Sequence, residues 1–148
     1  MWKIIVLTVG VILTGILLFI LFHKSPEEQA GDAVETFYTY EQNADFTDSW
    51  EMFHPYMKER FAKTHYLQDR AHVFMDHFDV ETFGFTVGSA AEMEDWQPDD
   101  EEELIEVVYK VPVEMHYEGK YGNFTLVQNV FATEVDGEWT ILWDYKQH

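Results

Sequence analysis

The sequence predicts an α+β fold: N-terminal helices packed on one face of a curved antiparallel sheet, preceded by one transmembrane helix. Three observations lead to this prediction. Residues 4–22 carry no charge, apolar residues then recur at helical spacing up to Asp79, and beyond it they alternate with period 2. Because the helices come first and the strands second, the order favours helices gathered on one side of an antiparallel sheet.

The charge-free run, "IIVLTVGVILTGILLFILF", predicts a membrane anchor. At about 1.5 Å per residue, its length approaches the ~30 Å hydrocarbon core of a bilayer. A secretory signal peptide is the alternative, but its apolar region has about 7–15 residues and precedes a small-residue cleavage site. The following "LFHKSPEE" contains no A-x-A. We therefore predict an anchor in residues 1–24 and one folded domain in residues 25–148.

The first helix of the domain has a recognisable start. Ser25 is the predicted N-cap, Pro26 takes the first helical position, and Glu28 completes a capping box. The apolar residues that follow share one helical face. They are Ala30, Val34, Phe37 and Tyr38.

Two further helices are predicted before the strands. Phe46, Trp50 and Phe53 have helical spacing and indicate a short helix that ends before Pro55. Thr64 is the predicted cap of the next helix, whose apolar stripe points towards the sheet. The stripe consists of Leu67, Ala71, Phe74 and Phe78.

The strands follow from alternation. "FGFTVG" is the first, "LIEVVYKVPVEMHYEG" the clearest and "NFTLVQNVFATEV" the third. Pro112 lies on the polar face of the clearest strand and donates no hydrogen bond, which indicates an edge position or a bulge. Asp136-Gly137 suits a type I′ turn before the last strand. The apolar face of the clearest strand consists of Ile105, Val107, Tyr109, Val111, Val113, Met115 and Tyr117.

The last strand places large apolar groups on one face. Trp139, Ile141 and Trp143 are predicted to form a wall against which the helices pack. Asn129 is the one polar residue that we place near the interior. The predicted core or pocket wall comprises Phe37, Leu67, Phe74, Phe78, Asn129, Trp139, Ile141 and Trp143.

The chain is strongly acidic, with 28 Asp and Glu against 9 Lys and Arg and a formal charge of −19. Such a charge repels phosphate backbones, so we expect no nucleic-acid partner. The stretch "EMEDWQPDDEEE" concentrates carboxylates, which suit calcium, but it lacks the D-x-[DN]-x-[DN]-G loop. We predict a solvated loop there. The absence of cysteine excludes disulfides and lipidation at a cysteine.

One helix carries metal-binding residue types. His65, Asp69, His72 and Asp76 fall on one face of the third predicted helix, and imidazole and carboxylate groups both bind zinc. This face lies opposite the apolar stripe. We therefore favour a solvated helix face over a metal site, and we expect no cofactor.

The segments "AVETFYTYEQNADF", "MFHPYMKERFAKTHYLQDRAHVFMDHFDVETFGFTV" and "DGEWTILWDY", behind an anchor, resemble one known family. The order is similar to the nuclear transport factor 2-like (cystatin-like) cone, and most closely resembles the N-terminal, non-catalytic domain of penicillin-binding proteins of the methicillin-resistance class. The resemblance covers about Ser25 to Tyr145. It implies a helix-and-sheet cone, a cytoplasmic N-terminus and a domain outside a bacterial cell membrane.

The sequence departs from that family in its chemistry. The family's transpeptidase carries S-x-x-K, S-x-N and K-T-G motifs, whereas none of Ser25, Ser49 and Ser89 is followed by Lys at the third position. We therefore expect no enzyme, but a single-span membrane module that binds a protein or cell-wall component. The alternative is a small-molecule binder or an isomerase-type enzyme that uses the cone pocket. If the domain forms a homodimer, we expect contact through the sheet.

Overall fold

The computed structural model describes residues 1–73 and 83–146, and their fold is α+β. The helices come first and the strands second, as predicted. The described helices are α1 (Trp2–Phe22), α2 (Pro26–Gln42), α3 (Phe46–Glu51), α4 (Pro55–Arg60) and α5 (Lys63–Ala71). The described strands are β1 (Gly84–Val87), β2 (Ala91–Trp96), β3 (Ile105–Gly119), β4 (Gly122–Val135) and β5 (Glu138–Trp143).

Helix α1 stands apart from the packed part of the protein. It has 21 residues, none of them buried, and its length of about 32 Å follows from the rise of an α-helix. Within the described residues, the chain has one helix long and apolar enough to cross a membrane, a property that a signal sequence shares. The helix therefore adds nothing to the core of the domain.

Helix α2 begins at the predicted capping box. The Glu28 backbone N–H donates to Ser25 Oγ at 3.2 Å, and the Ser25 N–H donates to Glu28 Oε2 at 2.9 Å. Both bonds satisfy amide groups that the first helical turn leaves without partners. The prediction of this helix start is confirmed.

The short helices differ from the prediction in two details. Helix α3 agrees with the predicted short helix, but Pro55 then opens α4, which the sequence did not indicate. Helix α5 begins one residue before Thr64, with Ala62 at its N-cap and no side-chain cap bond. The prediction of Thr64 as the cap is therefore wrong, because the helical hydrogen bonds already begin at the Ala62 carbonyl, which accepts the Tyr66 N–H at 3.0 Å.

The sheet is curved, antiparallel and not closed. Strands β1 and β2 both pair with β3, which pairs with β4, and β4 pairs with β5. The outer edge of β5 is covered at Ile141. There the His54 N–H donates to the Ile141 carbonyl at 3.0 Å, and the Ile141 N–H donates to the Met52 carbonyl at 2.9 Å.

Pro112 lies opposite the break between β1 and β2. The Gly88 N–H donates to the Pro112 carbonyl at 2.8 Å, and a Cβ on Gly88 would lie 2.6 Å from Pro112 Cγ. The N and O atoms of one strand residue point to the same edge, so the missing N–H of Pro112 faces this break and not β4. The strand itself is not at the edge, since β4 pairs with its other side.

Strand β2 corrects the prediction of a solvated loop in "EMEDWQPDDEEE". The first half of this stretch, from Glu92 to Trp96, belongs to β2 and pairs with β3. Trp96 stacks on Phe131 with ring centroids 4.0 Å apart. Acidic residues dominate the strand, so its composition resembles that of a loop. Trp96 holds the strand because its ring is buried on the sheet face opposite the helices.

The inner face of the sheet, defined as the face that packs against the helices, follows the predicted alternation in β3. Val111, Val113, Met115 and Tyr117 are buried, whereas Glu114, His116 and Glu118 between them are exposed. The turn before β5 also agrees, since Asp136 and Gly137 have φ of 53° and 81°. The alternation of apolar and polar residues in the sequence thus determines which β3 side chains face the helices.

Candidate functional site

The centre of the inner face is filled by aromatic rings. The Trp143 ring lies 5.0 Å from Phe53, 6.0 Å from Phe37 and 6.1 Å from Phe61, measured between centroids. Phe37 and Phe53 lie 5.3 Å apart. These distances are those of rings in contact, so the described side chains leave no substrate-sized space between helices and sheet at this point.

Among the described residues, the packed centre contains one carboxylate, that of Glu41 at the end of α2, whose residue is 2% exposed. It accepts hydrogen bonds from Ser49 Oγ at 2.5 Å and Arg70 Nε at 2.7 Å. The Tyr66 hydroxyl and Arg70 Nη2 donate to it as well. Both carboxylate oxygens are therefore occupied by donors from α3 and α5.

These donors hold their protons. Burial alone would lower the pKa of Arg70, but the adjacent Glu41 carboxylate reverses the effect and the pKa is raised. Burial, and then the charge of Glu41, raise the pKa of the Tyr66 hydroxyl well above its usual range. The bonds to Glu41 therefore join α2 to α3 and α5 in the described structure.

The position of Glu41 in the sequence indicates that its side chain is buried, although the composition of the chain does not. Glu41 lies four residues after Phe37 and seven after Val34, and so falls on the apolar stripe of α2. A charge on such a stripe requires a buried partner. The partners, Tyr66 and Arg70, come from a different helix, and only the fold brings them together.

A cavity of about 410 Å³ lies at one end of the inner face, beside the start of α2. Apolar groups of Pro26, Ile105 and Val107 form part of its wall. Tyr109 and Trp139 contribute two aromatic rings, whose centroids lie 5.6 Å apart in an edge-on arrangement. This end of the domain is thus open where the centre is filled.

The same cavity is acidic. Glu106 and Glu134 line it, and both side chains are exposed. Burial, and then the Glu92 carboxylate that accepts the Tyr109 hydroxyl at 3.1 Å, raise the pKa of Tyr109. Glu27 and Glu134 act in the same direction. The electrostatic field at the cavity therefore favours positive charge.

The opposite end of the inner face has a smaller cavity of about 170 Å³, beside Arg70, Tyr117 and Gln128. Burial raises the pKa of Tyr117 to about 12. The Tyr38 hydroxyl donates to Gln128 Oε1 at 3.1 Å. Polar groups at this end thus bond within the protein.

The predicted metal-binding face is solvated where it is described. His65, Asp69 and His72 are exposed, and Asp76 lies outside the described residues. Among residues 1–73 and 83–146, no group of three His, Cys, Asp or Glu side chains could hold a metal ion.

The predicted core residues occupy different depths. Phe37 and Ile141 are fully buried, whereas Leu67, Trp139 and Trp143 are partly buried and pack against the core. Phe74 and Phe78 lie outside the described residues.

Asn129 requires a correction. It pairs with Pro112, is exposed and lies on the outer face of the sheet, since its neighbours Gln128 and Val130 carry the inner-face register. The prediction of an interior position is wrong, because Asn129 alternates with residues that face the helices.

His54 is a buried titratable residue that the sequence did not single out. It is 8% exposed and forms the N-cap of α4, where its Nδ1 accepts the Tyr56 backbone N–H at 3.2 Å. Burial lowers the pKa of His54 to about 4. The imidazole is therefore neutral at pH 7 and has a structural role at the helix start.

The sequence was also compared with protein families and with curated proteins. No family model matches the sequence, and a search of curated proteins gave no significant match. Function is therefore inferred from the residues and their geometry.

Proposed function

We propose that this chain is a membrane-anchored, non-catalytic module whose folded domain binds a protein or cell-wall component outside the cell membrane. The observation that carries the proposal is the filled centre of the inner face, where Phe37, Phe53, Phe61 and Trp143 are in ring contact. An isomerase-type site in a cone needs an open interior and a free base. The centre of the described interior contains packed rings.

The state of Glu41 supports the same proposal. A buried carboxylate is the usual candidate for a general base, but a base must come within hydrogen-bond reach of a substrate proton. The oxygens of Glu41 already accept bonds from Ser49, Tyr66 and Arg70. The constellation resembles a buried structural ion pair more than a catalytic site.

Helix α1 supports the membrane anchor. Its 21 residues include no buried side chain, so the folded domain offers it no apolar surface to cover it. A bilayer covers the apolar side chains of such a helix, and the helix satisfies its own backbone N–H and C=O groups by internal hydrogen bonds. We extend the proposal to the topology implied by the resemblance, with residues 1–24 as the anchor and residues 25–148 outside.

The resemblance to the non-catalytic domain of penicillin-binding proteins supplies the type of role. In that family the domain stands between the anchor and the catalytic part. We propose that here it presents a binding surface at a short distance from the membrane, without transpeptidase activity. The sequence supports the latter point, as no serine is followed by Lys at the third position.

Photo-crosslinking in intact cells tests the binding role. A photoreactive residue replaces exposed side chains on different sides of the domain, such as Tyr121 in the β3–β4 turn and Glu101 after β2. We expect a discrete adduct from one side and none from the other. Adducts at neither position, together with a small metabolite that copurifies in stoichiometric amount, would instead support the small-molecule alternative.

A further inference from the structure

The cavity beside the start of α2 has the chemistry of a cation site. Tyr109 and Trp139 line it with two aromatic rings that lie edge-on to each other. Aromatic faces attract ammonium groups, and the attraction increases when the group is partly removed from water. Glu106 and Glu134 add two carboxylates at the same cavity.

The side-chain donors of this cavity are already used within the protein. Trp139 Nε1 donates to Gln29 Oε1 at 3.3 Å, and Gln29 Nε2 donates to the Lys24 carbonyl at 3.0 Å. The Tyr109 hydroxyl donates to Glu92 at 3.1 Å, and the Thr133 hydroxyl donates to the Val107 carbonyl at 2.7 Å. The cavity thus offers acceptors and ring surfaces, and no lysine, arginine or histidine lines it among the described residues.

The two cavity carboxylates have no cation of their own in the described part of the chain. Lys24, Lys58 and Lys63 form ion pairs with other acidic residues, whereas neither Glu106 nor Glu134 lies in a salt bridge between described residues. A ligand that supplies positive charge and hydrogen-bond donors satisfies these groups. An anionic ligand finds no donor and meets two negative charges.

We propose that this cavity binds the side-chain ammonium group of a lysine in a peptide or polypeptide partner. The apolar wall of Pro26, Ile105 and Val107 fits the four-carbon stem, while the rings and carboxylates receive the ammonium group. A lipid headgroup with an ammonium group fits less well, because its phosphate would lie among the same carboxylates. The choice of a polypeptide partner rests on the proposed function. The binding of an ammonium group by the cavity does not depend on which side of the membrane the domain lies.

Binding can be measured on the full-length protein in non-ionic micelles. The probe is Nα-acetyl-lysine amide, and the signal is the indole N–H resonance of Trp139. The matched probe carries a second acetyl group on Nε and has no charge. We expect the lysine probe to shift the resonance with millimolar affinity, and the diacetylated probe to leave it unchanged.

Paired variants separate the site from the general charge of the domain. Glu106→Gln with Glu134→Gln removes two charges at the cavity, and Glu114→Gln with Glu118→Gln removes two exposed charges elsewhere on β3. We expect the first pair to weaken binding about tenfold and the second by less than about twofold. Trp139→Leu should weaken binding about fivefold, as a cation–π contact predicts, and calorimetric titration with the lysine probe measures this variant because the substitution removes the reporting indole.

Three outcomes overturn the inference. Equal binding of both probes shows that the cavity does not recognise the positive charge. Equal weakening by both pairs of glutamate substitutions shows that the overall negative charge of the domain, and not the cavity carboxylates, attracts the probe. A Trp139 shift seen only in bilayers with an ethanolamine headgroup identifies a lipid ligand instead. None of these results bears on crosslinking at Tyr121 or Glu101, so failure here is distinct from failure of the proposed function.

Discussion

Trp143 lies edge-on to Phe53, with ring centroids 5.0 Å apart and planes at 80°. Trp143 belongs to the last strand, β5. Phe53 lies in the connection between α3 and α4 and forms an isolated β-bridge with Ile141 of β5. The contact therefore joins the helical part of the domain to its last strand across the inner face. It stabilises the closure of the helices over the sheet and fills the space that a pocket would need.

Trp143→Ala should lower the free energy of unfolding by about 3 kcal/mol, because the ring loses its contacts with Phe37, Phe53 and Phe61. Denaturant unfolding measures the change. Tyr121→Ala is the control, since Tyr121 is 87% exposed and its removal should cost less than about 0.5 kcal/mol. Equal stability of the two variants would assign Trp143 to a binding surface and contradict its place in the core.

Glu41→Gln should destabilise the domain by about 3 kcal/mol. The substitution keeps the shape of the side chain but leaves the Arg70 guanidinium without its carboxylate. We take the lower end of the usual range because the Arg70 side chain is 21% exposed and partly screened. Glu35→Gln on the exposed face of α2 is the control and should have little effect. A similar small effect at both positions would show that the Glu41 network contributes no stability.

The domain should lose stability between pH 7 and pH 5 through His54. The pKa of His54 is lowered to about 4 in the folded state by burial, whereas an unfolded histidine has a pKa of about 6.5. The unfolded state therefore binds more protons in this interval, and stability falls as pH decreases. His54→Asn keeps an N-cap acceptor but does not titrate. The loss should be smaller in this variant, and an identical pH dependence would exclude His54 as its source.

Removal of residues 1–24 should leave a soluble domain that unfolds cooperatively. No α1 side chain is buried, and the capping bonds of α2 join Ser25 and Glu28, both of which the deletion retains. Circular dichroism during thermal unfolding measures the transition. A fragment that aggregates, or melts without a transition, would show that the domain depends on α1.

Local patterns predicted much of the fold. The capping box of Ser25 and Glu28, the Asp136-Gly137 turn and the alternation along β3 each depend on neighbours in sequence, and each is present. The pattern around β2 failed because acidic residues on a strand resemble a loop until the stacking of Trp96 on Phe131 is known.

The site could be predicted only in part. Trp139 was expected at the wall, and it lines the cavity. Glu41 and its partners Tyr66 and Arg70 are separated by 25 and 29 residues, so no local pattern connects them. The cavity at the start of α2 likewise requires the approach of Gln29 to Trp139, 110 residues further along the chain.

Membrane topology is the most direct test of the proposed function, because a partner outside the membrane requires the domain to lie there. The sequence contains no cysteine, so single cysteines report their side of the membrane without background. Ser89→Cys places one on the exposed connection between β1 and β2, and Lys3→Cys places one at the start of α1.

Intact bacterial cells that express each variant are treated with a membrane-impermeant maleimide, before and after permeabilisation. We expect the Ser89→Cys variant to be labelled in intact cells and the Lys3→Cys variant only after permeabilisation. Protection of the Ser89→Cys variant until the cells are permeabilised would place the domain in the cytoplasm and contradict the proposed function.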